Sequence, residues 1–368
     1  MPGPLRVVIA GGGTGGHVYP GIAVARELLA RRPDAQISFA GTARGIESRV
    51  MPREGFALDV IRSAGLKGKS LVDRVRGASL VPLGLADAWR IVSRRRPHLA
   101  IGVGGYSSGP VVLVSALRGI PTMLLEQNAV PGLTNRLLAP VVRAAAVTFD
   151  STRRFFGSKG FVSGNPVRPE FFAAAGQFEE SSVDDHASIT QVLVFGGSQG
   201  AHAINVAMVE AAAELAAGGG PPLHLVHQTG ERDVEMVRAG YRLAGIPADV
   251  QPFLHDMGRR IGRADLIVCR AGSTTLAEIT AAGKPAVLIP LPTATDDHQR
   301  KNAEALGAAG AAEVLLQSDM TGRVLAQRIR ALAADRGRRS RMASAARALA
   351  RPDAARIIVD RALELVGT

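Results

Sequence analysis

Glu278 follows Thr274 by four residues, and Gly272-Ser273-Thr274 follows an apolar run, Leu266-Ile-Val-Cys269. The pattern reads as strand, small-residue turn and helix. The first N–H groups of a helix lack partners, and the helix dipole adds roughly half a positive charge there. Such a turn suits a phosphate or diphosphate. Residues four apart share a helix face, so Glu278 lies on the side of Thr274. A carboxylate beside a phosphate is useful when it accepts hydrogen bonds from hydroxyls, and a ribose diol offers two. Gln299, in the polar loop after Ala286-Val-Leu-Ile-Pro290, adds an amide donor and acceptor suited to a sugar. An ordinary βαβ unit with a solvated glutamate has the same pattern, so the rest of the chain decides.

A similar turn opens the chain. The strand Leu5–Ala10 runs into Gly11-Gly-Gly-Thr-Gly-Gly16-His17, and a helix follows from about Pro20 to Arg31. The glycines satisfy G-x-G-x-x-G, a phosphate cradle of α/β folds. A dinucleotide site would end the next strand with an acid that binds ribose; here Gln36–Ala40 ends in Gly41-Thr42, which favours a generic anion loop over NAD. His17 is placed to act as a base, as a diphosphate ligand, or as a structural histidine. A second glycine turn, Gly104-Gly-Tyr-Ser-Ser-Gly-Pro110, follows the strand Leu99–Val103 and leads into a helix over Val111–Leu117. The strand Pro121–Leu125 ends in the polar cluster Glu126-Gln-Asn128, where open α/β sheets bind ligands.

Asn165-Pro166 punctuates the chain. At Gln191 the order restarts: strand, Gly196-Gly-Ser-Gln-Gly200, and a helix from about Ala203. This loose internal repeat predicts an α/β protein of two Rossmann-like domains with parallel sheets facing across a cleft. The expected domains are 1–165 and 166–344, with the helix of about 345–368 packing back on the first. Residues 173–188 read as an acid- and serine-rich loop, and Arg336–Arg341 as a basic turn.

The chain has 368 residues, 46% of them hydrophobic but only 4% aromatic, so two aliphatic cores are expected. One cysteine, Cys269, cannot form an intrachain disulfide, which favours a reducing compartment. No signal-peptide pattern and no apolar run near the ~20 residues of a spanning helix is present. The net charge of +12 suits anionic substrates or an anionic lipid surface. Nucleic acid is disfavoured, because no zinc spacing, RNP-like aromatic run or recognition helix accompanies the charge. Between Arg62 and Arg96 cations interleave with Leu71, Val72, Leu80, Val81, Leu83 and Trp89. This is either a surface that rests on lipid headgroups or a helix with a packed face and a charged one.

Two glycine-loop domains suggest binding of two anionic groups. No metal-ligand spacing occurs, and no cofactor is expected, so helix N-termini and cations such as Arg168 would neutralise a leaving diphosphate. Each well-placed donor is worth about 3 kcal/mol. With these motifs the chain resembles the MurG-type family of bacterial transferases, which move N-acetylglucosamine from UDP-GlcNAc onto undecaprenyl-diphospho-N-acetylmuramoyl pentapeptide. The segments that carry the resemblance are Gly12-Gly-Thr-Gly-Gly-His-Val18, Gly104–Pro110, Glu126-Gln-Asn128 with Pro131-Gly-Leu-Thr-Asn135, Gly164-Asn-Pro-Val-Arg168, Gly196–Ala201, Cys269-Arg-Ala-Gly272 and His298-Gln299.

The resemblance implies a GT-B fold and an inverting displacement at the cytoplasmic face of the cell membrane, with the enzyme a peripheral partner of the anionic inner leaflet. It implies that Thr14, Gly15 and Gly16 lie beside the donor, that Asn128 reaches GlcNAc, and that Arg168 and Ser198 hold the diphosphate side. The backbone at Leu254 would meet uracil. Ser273, Thr274, Thr275, Leu276, Ala277 and Glu278 would take phosphates and ribose, and Gln299 the sugar. The acceptor diphosphate is expected near Gly13 to Gly16 and near Gly104, Gly105 and Tyr106. The acceptor hydroxyl must lose its proton as it attacks; His17 is the expected base and Glu126 the alternative.

The chain departs from the family pattern at Leu125, where many relatives have histidine, in a slightly longer Pro292–Asp297 loop, and in the acidic 176–188 segment. A histidine at 125 is therefore not essential here, or another group replaces it. The rival readings are a GT-B transferase for a different lipid acceptor, a UDP-GlcNAc 2-epimerase on the same architecture, an NAD oxidoreductase and a non-enzymatic binder.

Overall fold

The computed structural model describes residues 3–63, 71–177, 189–197 and 199–367. Ser198, Lys67, Lys69 and the 178–188 part of the acidic segment lie outside the described residues. The chain divides into two compact units, Met1–Val167 with Arg351–Thr368, and Arg168–Ala350. The returning segment thus begins at Arg351, later than the expected 345.

The first unit runs β1 (Arg6–Gly11), α1 (Gly15–Arg31), β2 (Gln36–Gly41), α2 (Glu47–Glu54), β3 (Ala57–Val60), α3 (Leu71–Arg95), β4 (Leu99–Gly104), α4 (Ser108–Leu117), β5 (Thr122–Glu126), α5 (Leu133–Leu138), β6 (Ala144–Val147), α6 (Asp150–Phe156) and β7 (Gly160–Val162). Its strands pair in parallel in the order β3-β2-β1-β4-β5-β6-β7. A parallel sheet covered on both faces needs apolar residues at every position, and β1 shows the arrangement. Val7 and Ile9 pack with Val24 and Leu28 of α1, while Val8 and Ala10 pack with Ala88, Ile91 and Val92 of α3 and Val111 of α4.

The second unit runs α7 (Pro169–Gln177), β8 (Thr190–Phe195), α8 (His202–Ala217), β9 (Leu223–Gln228), α9 (Val234–Ala244), β10 (Ala248–Gln251), α10 (Met257–Arg263), β11 (Leu266–Cys269), α11 (Ser273–Ala282), β12 (Ala286–Leu288), α12 (His298–Ala308), β13 (Ala312–Val314), α13 (Gly322–Ala334) and α14 (Arg336–Leu349). Its parallel sheet has the order β10-β9-β8-β11-β12-β13. The α/β protein of two Rossmann-like domains with parallel sheets, expected from the repeat, is observed in these two units.

Three local expectations change. Residues 173–177 belong to α7 rather than to a loop. Arg336–Arg341 opens α14 instead of forming a turn, because Asp335 accepts a hydrogen bond from Arg338 N–H at 2.7 Å and caps the helix. Helix α1 starts at Gly15, several residues before Pro20. Pro20 therefore lies inside the helix, where it withholds the N–H that would bond the Gly16 carbonyl.

The last helix, α15 (Ala354–Val366), returns to the first unit. Ile358, Val359 and Ala362 are fully buried in the core that holds Val7, Leu99 and Ile101. Asp360 pairs with Arg31 at the end of α1. Ile358→Ala removes buried methylenes at a site flanked by strands, so it should destabilise the first unit by about 2–5 kcal/mol, read as an earlier denaturant midpoint for that unit.

Candidate functional site

In each sheet the strand order reverses once, between β1 and β4 and between β8 and β11. Connections there leave in opposite directions and open a crevice at the carboxyl ends of the strands. Every glycine turn singled out in the sequence emerges at such an end.

In the first unit the two turns touch. A Cβ on Gly105 would stand 2.5 Å from the Gly12 carbonyl oxygen, and one on Gly104 would stand 2.8 Å from Cε1 and Nδ1 of His17. Gly104 also has φ +94°, which other residues rarely adopt. The bare backbone at 104 is thus the seat of the His17 ring. Nδ1 of the ring is buried there. Gly15, Gly16 and His17 form the first turn of α1, and Thr14, its N-cap, makes no side-chain cap. Tyr106 is half exposed on the neighbouring turn.

A residue the motifs did not single out organises this turn. Glu47 is buried, and its carboxylate accepts hydrogen bonds from Gly13 N–H at 2.8 Å, Thr42 N–H at 2.7 Å and Thr42 Oγ1–H at 2.9 Å. It fills the volume where side chains on Gly12, Gly41 or Gly45 would stand. Gly13 N–H, expected to face an acceptor diphosphate, is thereby engaged inside the protein. The acid sought at the end of β2 does exist, displaced to the start of α2 and turned back onto the loop. The spacing Thr42 to Glu47 was the available signal.

Glu126, at the end of β5, is also buried and saturated. Oε1 accepts from Asn128 N–H at 3.0 Å and Asn128 Nδ2–H at 3.3 Å; Oε2 accepts from Gly132 N–H at 2.9 Å and Asn135 Nδ2–H at 2.8 Å. Four donors of its own loop thus occupy the two carboxylate oxygens. The geometry makes it the anchor of the loop that carries Asn128, whose carbonyl also accepts from Thr152 Oγ1.

In the second unit α11 begins at Ser273, with Gly272 as N-cap and no side chain closing the first turn. By contrast α13 is capped by Thr321, which accepts from Val324 N–H at 3.2 Å. Leu276 is buried, while Ala277 is half-buried. Glu278 is half-buried too, yet crowded by protein, and this burial pushes its carboxyl up to about 7. Nearby Arg168 works against the rise and Glu170 with it. Arg168 pairs with Glu170 at 3.2 Å and lies over the Phe171 ring. The structure therefore brings Arg168 and Glu278 together.

Gln299 Oε1 accepts Leu291 N–H at 3.0 Å, so its NH2 group is the end left for a ligand. Buried Arg270 holds the same loop by donating to the Ile289 and Pro290 carbonyls, each at 3.1 Å, and to Gln317 Oε1 at 2.7 Å. None of these acceptors is charged, so the Arg270 cation adds positive potential beside α11. Asp296 and Asp297 have φ 55° and 54°, backbone strain placed just before Gln299. The Leu254 N–H donates to Gln228 Oε1 at 2.9 Å and is therefore engaged within the protein. Among the described residues no cluster of His, Cys, Asp and Glu suits a metal ion.

Models of the glycosyltransferase family 28 N-terminal and C-terminal domains match residues 7–147 and 191–358. A protein of Anaeromyxobacter dehalogenans (strain 2CP-C) named UDP-N-acetylglucosamine–N-acetylmuramyl-(pentapeptide) pyrophosphoryl-undecaprenol N-acetylglucosamine transferase is 47% identical over 98% of this chain and 93% of its own. A protein of the same name from Myxococcus xanthus is 45% identical, with the same coverage of 98% and 93%. The crystal structure of Acinetobacter baumannii MurG superposes with a TM-score of 0.79 at 33% identity, over 98% of this chain and all of that one.

The raised Glu278 carboxyl has a measurable consequence. Unfolded, it ionises near its ordinary 4.5; folded, near 7. The native state therefore holds an extra proton between these values. Its stability should fall as pH rises from 4.5 to 7, by at most about 3 kcal/mol, and the penalty persists above 7. Glu278→Gln should match the wild type in stability below the lower value and exceed it above the upper, as read from denaturant midpoints at a series of pH values.

Proposed function

The chain belongs to glycosyltransferase family 28, and on that premise we propose how its residues divide the work of the reaction. The activity is transfer of N-acetylglucosamine from UDP-GlcNAc to undecaprenyl-diphospho-N-acetylmuramoyl pentapeptide, which yields the disaccharide-bearing lipid of peptidoglycan synthesis. The second unit takes the donor. The open N-terminus of α11 takes the diphosphate with Arg168 and Ser198, Glu278 accepts the ribose hydroxyls, the Leu254 carbonyl meets uracil N3–H, and the Gln299 amide donates to the sugar. The first unit takes the acceptor, its diphosphate lying on the amides of Thr14, Gly15 and Gly16 and beside Gly104 to Tyr106.

The acceptor 4-hydroxyl attacks the anomeric carbon of GlcNAc from the face opposite UDP. The bond from that carbon to the β-phosphate oxygen breaks, its electron pair leaves with UDP, and the configuration inverts. His17 Nε2 takes the hydroxyl proton. Charge growing on the leaving diphosphate is met by preorganised N–H groups and cations rather than by reorganising water. Asn128, held by Glu126, reaches toward the GlcNAc. The observation that carries most of this reading is the crowded Glu278 carboxyl one turn inside an uncapped helix start, with Arg168 beside it.

The enzyme works as a peripheral protein on the anionic cytoplasmic leaflet. Among the described residues no helix is long and apolar enough to cross a membrane. In helix α3 Ala88, Ile91 and Val92 are buried, while Val81, Leu83 and Trp89 are exposed, which supports a face turned to lipid headgroups beside a packed one. Arg118 lies 5.0 Å over the Trp89 ring, and Arg90 is exposed nearby. Arg94 and Arg95 are committed elsewhere, to buried Asp59 at 2.6 and 2.8 Å. Exposed apolar residues among cations fit a headgroup surface.

Two outcomes test the assignment. Uridine, which lacks a titrating phosphate, should bind the ionised Glu278 only; its affinity should rise about tenfold per pH unit below 7 and level off above, and Glu278→Gln should flatten that profile in calorimetry. Gly104→Ala should displace the His17 ring; kcat should fall at least a hundredfold while the Kd for UDP stays within twofold, and unchanged turnover would remove His17 as base.

A further inference from the structure

Gln228 ends β9 and is buried, yet it contacts neither the helix N-terminus nor the carboxyl group assigned to the donor. Its Nε2–H donates to the Gly197 carbonyl at 2.8 Å, and its Oε1 accepts from Leu254 N–H at 2.9 Å. One side chain thus bridges the glycine turn after β8 and the segment after β10. The two turns it joins are laid backbone against backbone. A Cβ on Gly200 would overlap the Thr229 carbonyl oxygen, and one on Gly230 would overlap the Gln199 carbonyl oxygen. Gly230 N–H in turn donates to the Pro252 carbonyl at 3.0 Å. No slack exists between the three segments at the level of backbone atoms.

A directional polar chain behind Gln228 fixes the turn. Tyr241 O–H donates to His227 Nδ1 at 2.7 Å, and His227 Nε2–H donates to Asn205 Oδ1 at 3.0 Å. Asn205 Nδ2 donates to the Thr229 carbonyl at 2.9 Å and to Asp233 Oδ2 at 2.8 Å. Complete burial pushes the His227 pKa down to about 3, so the ring stays neutral and the donor directions stay single-valued. A fully satisfied buried network of this kind specifies one arrangement.

We propose that Gln228 is a positioning residue that couples the two halves of nucleotide recognition, so that a base seated at Leu254 also sets the glycine turn at Gly197 for the diphosphate. This rests on the donor-site reading given above and deepens it. Gln228 makes no contact with the reacting atoms; it acts through the backbone at 197 and 254.

Gln228→Glu keeps an acceptor for Leu254 N–H but replaces the donor to Gly197 with an oxygen that repels its carbonyl. Uridine affinity should stay within threefold of wild type, whereas the advantage of UDP over uridine should fall at least tenfold. KM for UDP-GlcNAc should rise with kcat within threefold. Gln228→Met, which lacks both bonds, should lose uridine affinity as well. Ratios of UDP to uridine affinity within twofold of wild type in both variants would overturn the coupling. The wild-type enzyme gives a test independent of variant folding. Hydrogen exchange with uridine alone should slow at Phe253 to Asp256 and also at Gly197, Gln199 and Gly200. Protection confined to the first segment overturns the coupling alone; no protection at the first segment overturns the donor-site reading and this inference with it.

Discussion

The structure depends on how closely one backbone can approach another at the end of a parallel strand. At the reversal of strand order in the first unit, Gly105 lies on Gly12 and the His17 ring lies on Gly104, each at a separation that a side chain would abolish. In the second unit the close approach is instead between the turns after β8 and β9, with Gly200 against Thr229 and Gly230 against Gln199. Close approach keeps helix N-termini, carbonyl groups and a few polar side chains within a small volume. A phosphate-bearing ligand needs such a concentration of fixed dipoles, because it gains little from groups that must first be ordered.

Three carboxylates show how environment rather than residue type assigns a role. Glu47 and Glu126 are buried but surrounded by N–H and O–H donors of their own loops, so each acts as a fastener. Glu278 is crowded by protein, no equivalent donors reach it among the described residues, and burial raises its carboxyl to about 7. The same logic separates Arg270, whose acceptors are all neutral, from Arg94 and Arg95, which neutralise Asp59.

Much of this was legible in the sequence because glycine turns and apolar strands are local signals. The restart at Gln191, the strand-turn-helix around Ser273 and the terminal helix near Asp353 all depend on neighbouring residues, and the structure places elements there. What escaped were long-range hydrogen bonds. Nothing local says that Glu47 turns back to Gly13, that Glu126 is shared among Asn128, Gly132 and Asn135, or that Gln228 spans from Gly197 to Leu254. The errors at 173–177 and at Arg336 were failures of composition as a guide. A run rich in alanine or arginine is helical once a cap or a packed face is provided, and Asp335 and Phe171 provide them.

The discontinuity of the first unit bears on how the chain is made. Its sheet precedes the second unit in the sequence, but Ile358, Val359 and Ala362, which seal one face of that sheet, are synthesised only after the second unit. The second unit is continuous and has its full set of strands and helices on the ribosome before the first is complete. During synthesis the first unit must therefore present an uncovered aliphatic face for as long as the whole second unit takes to emerge, a window in which a chaperone would shield it from aggregation.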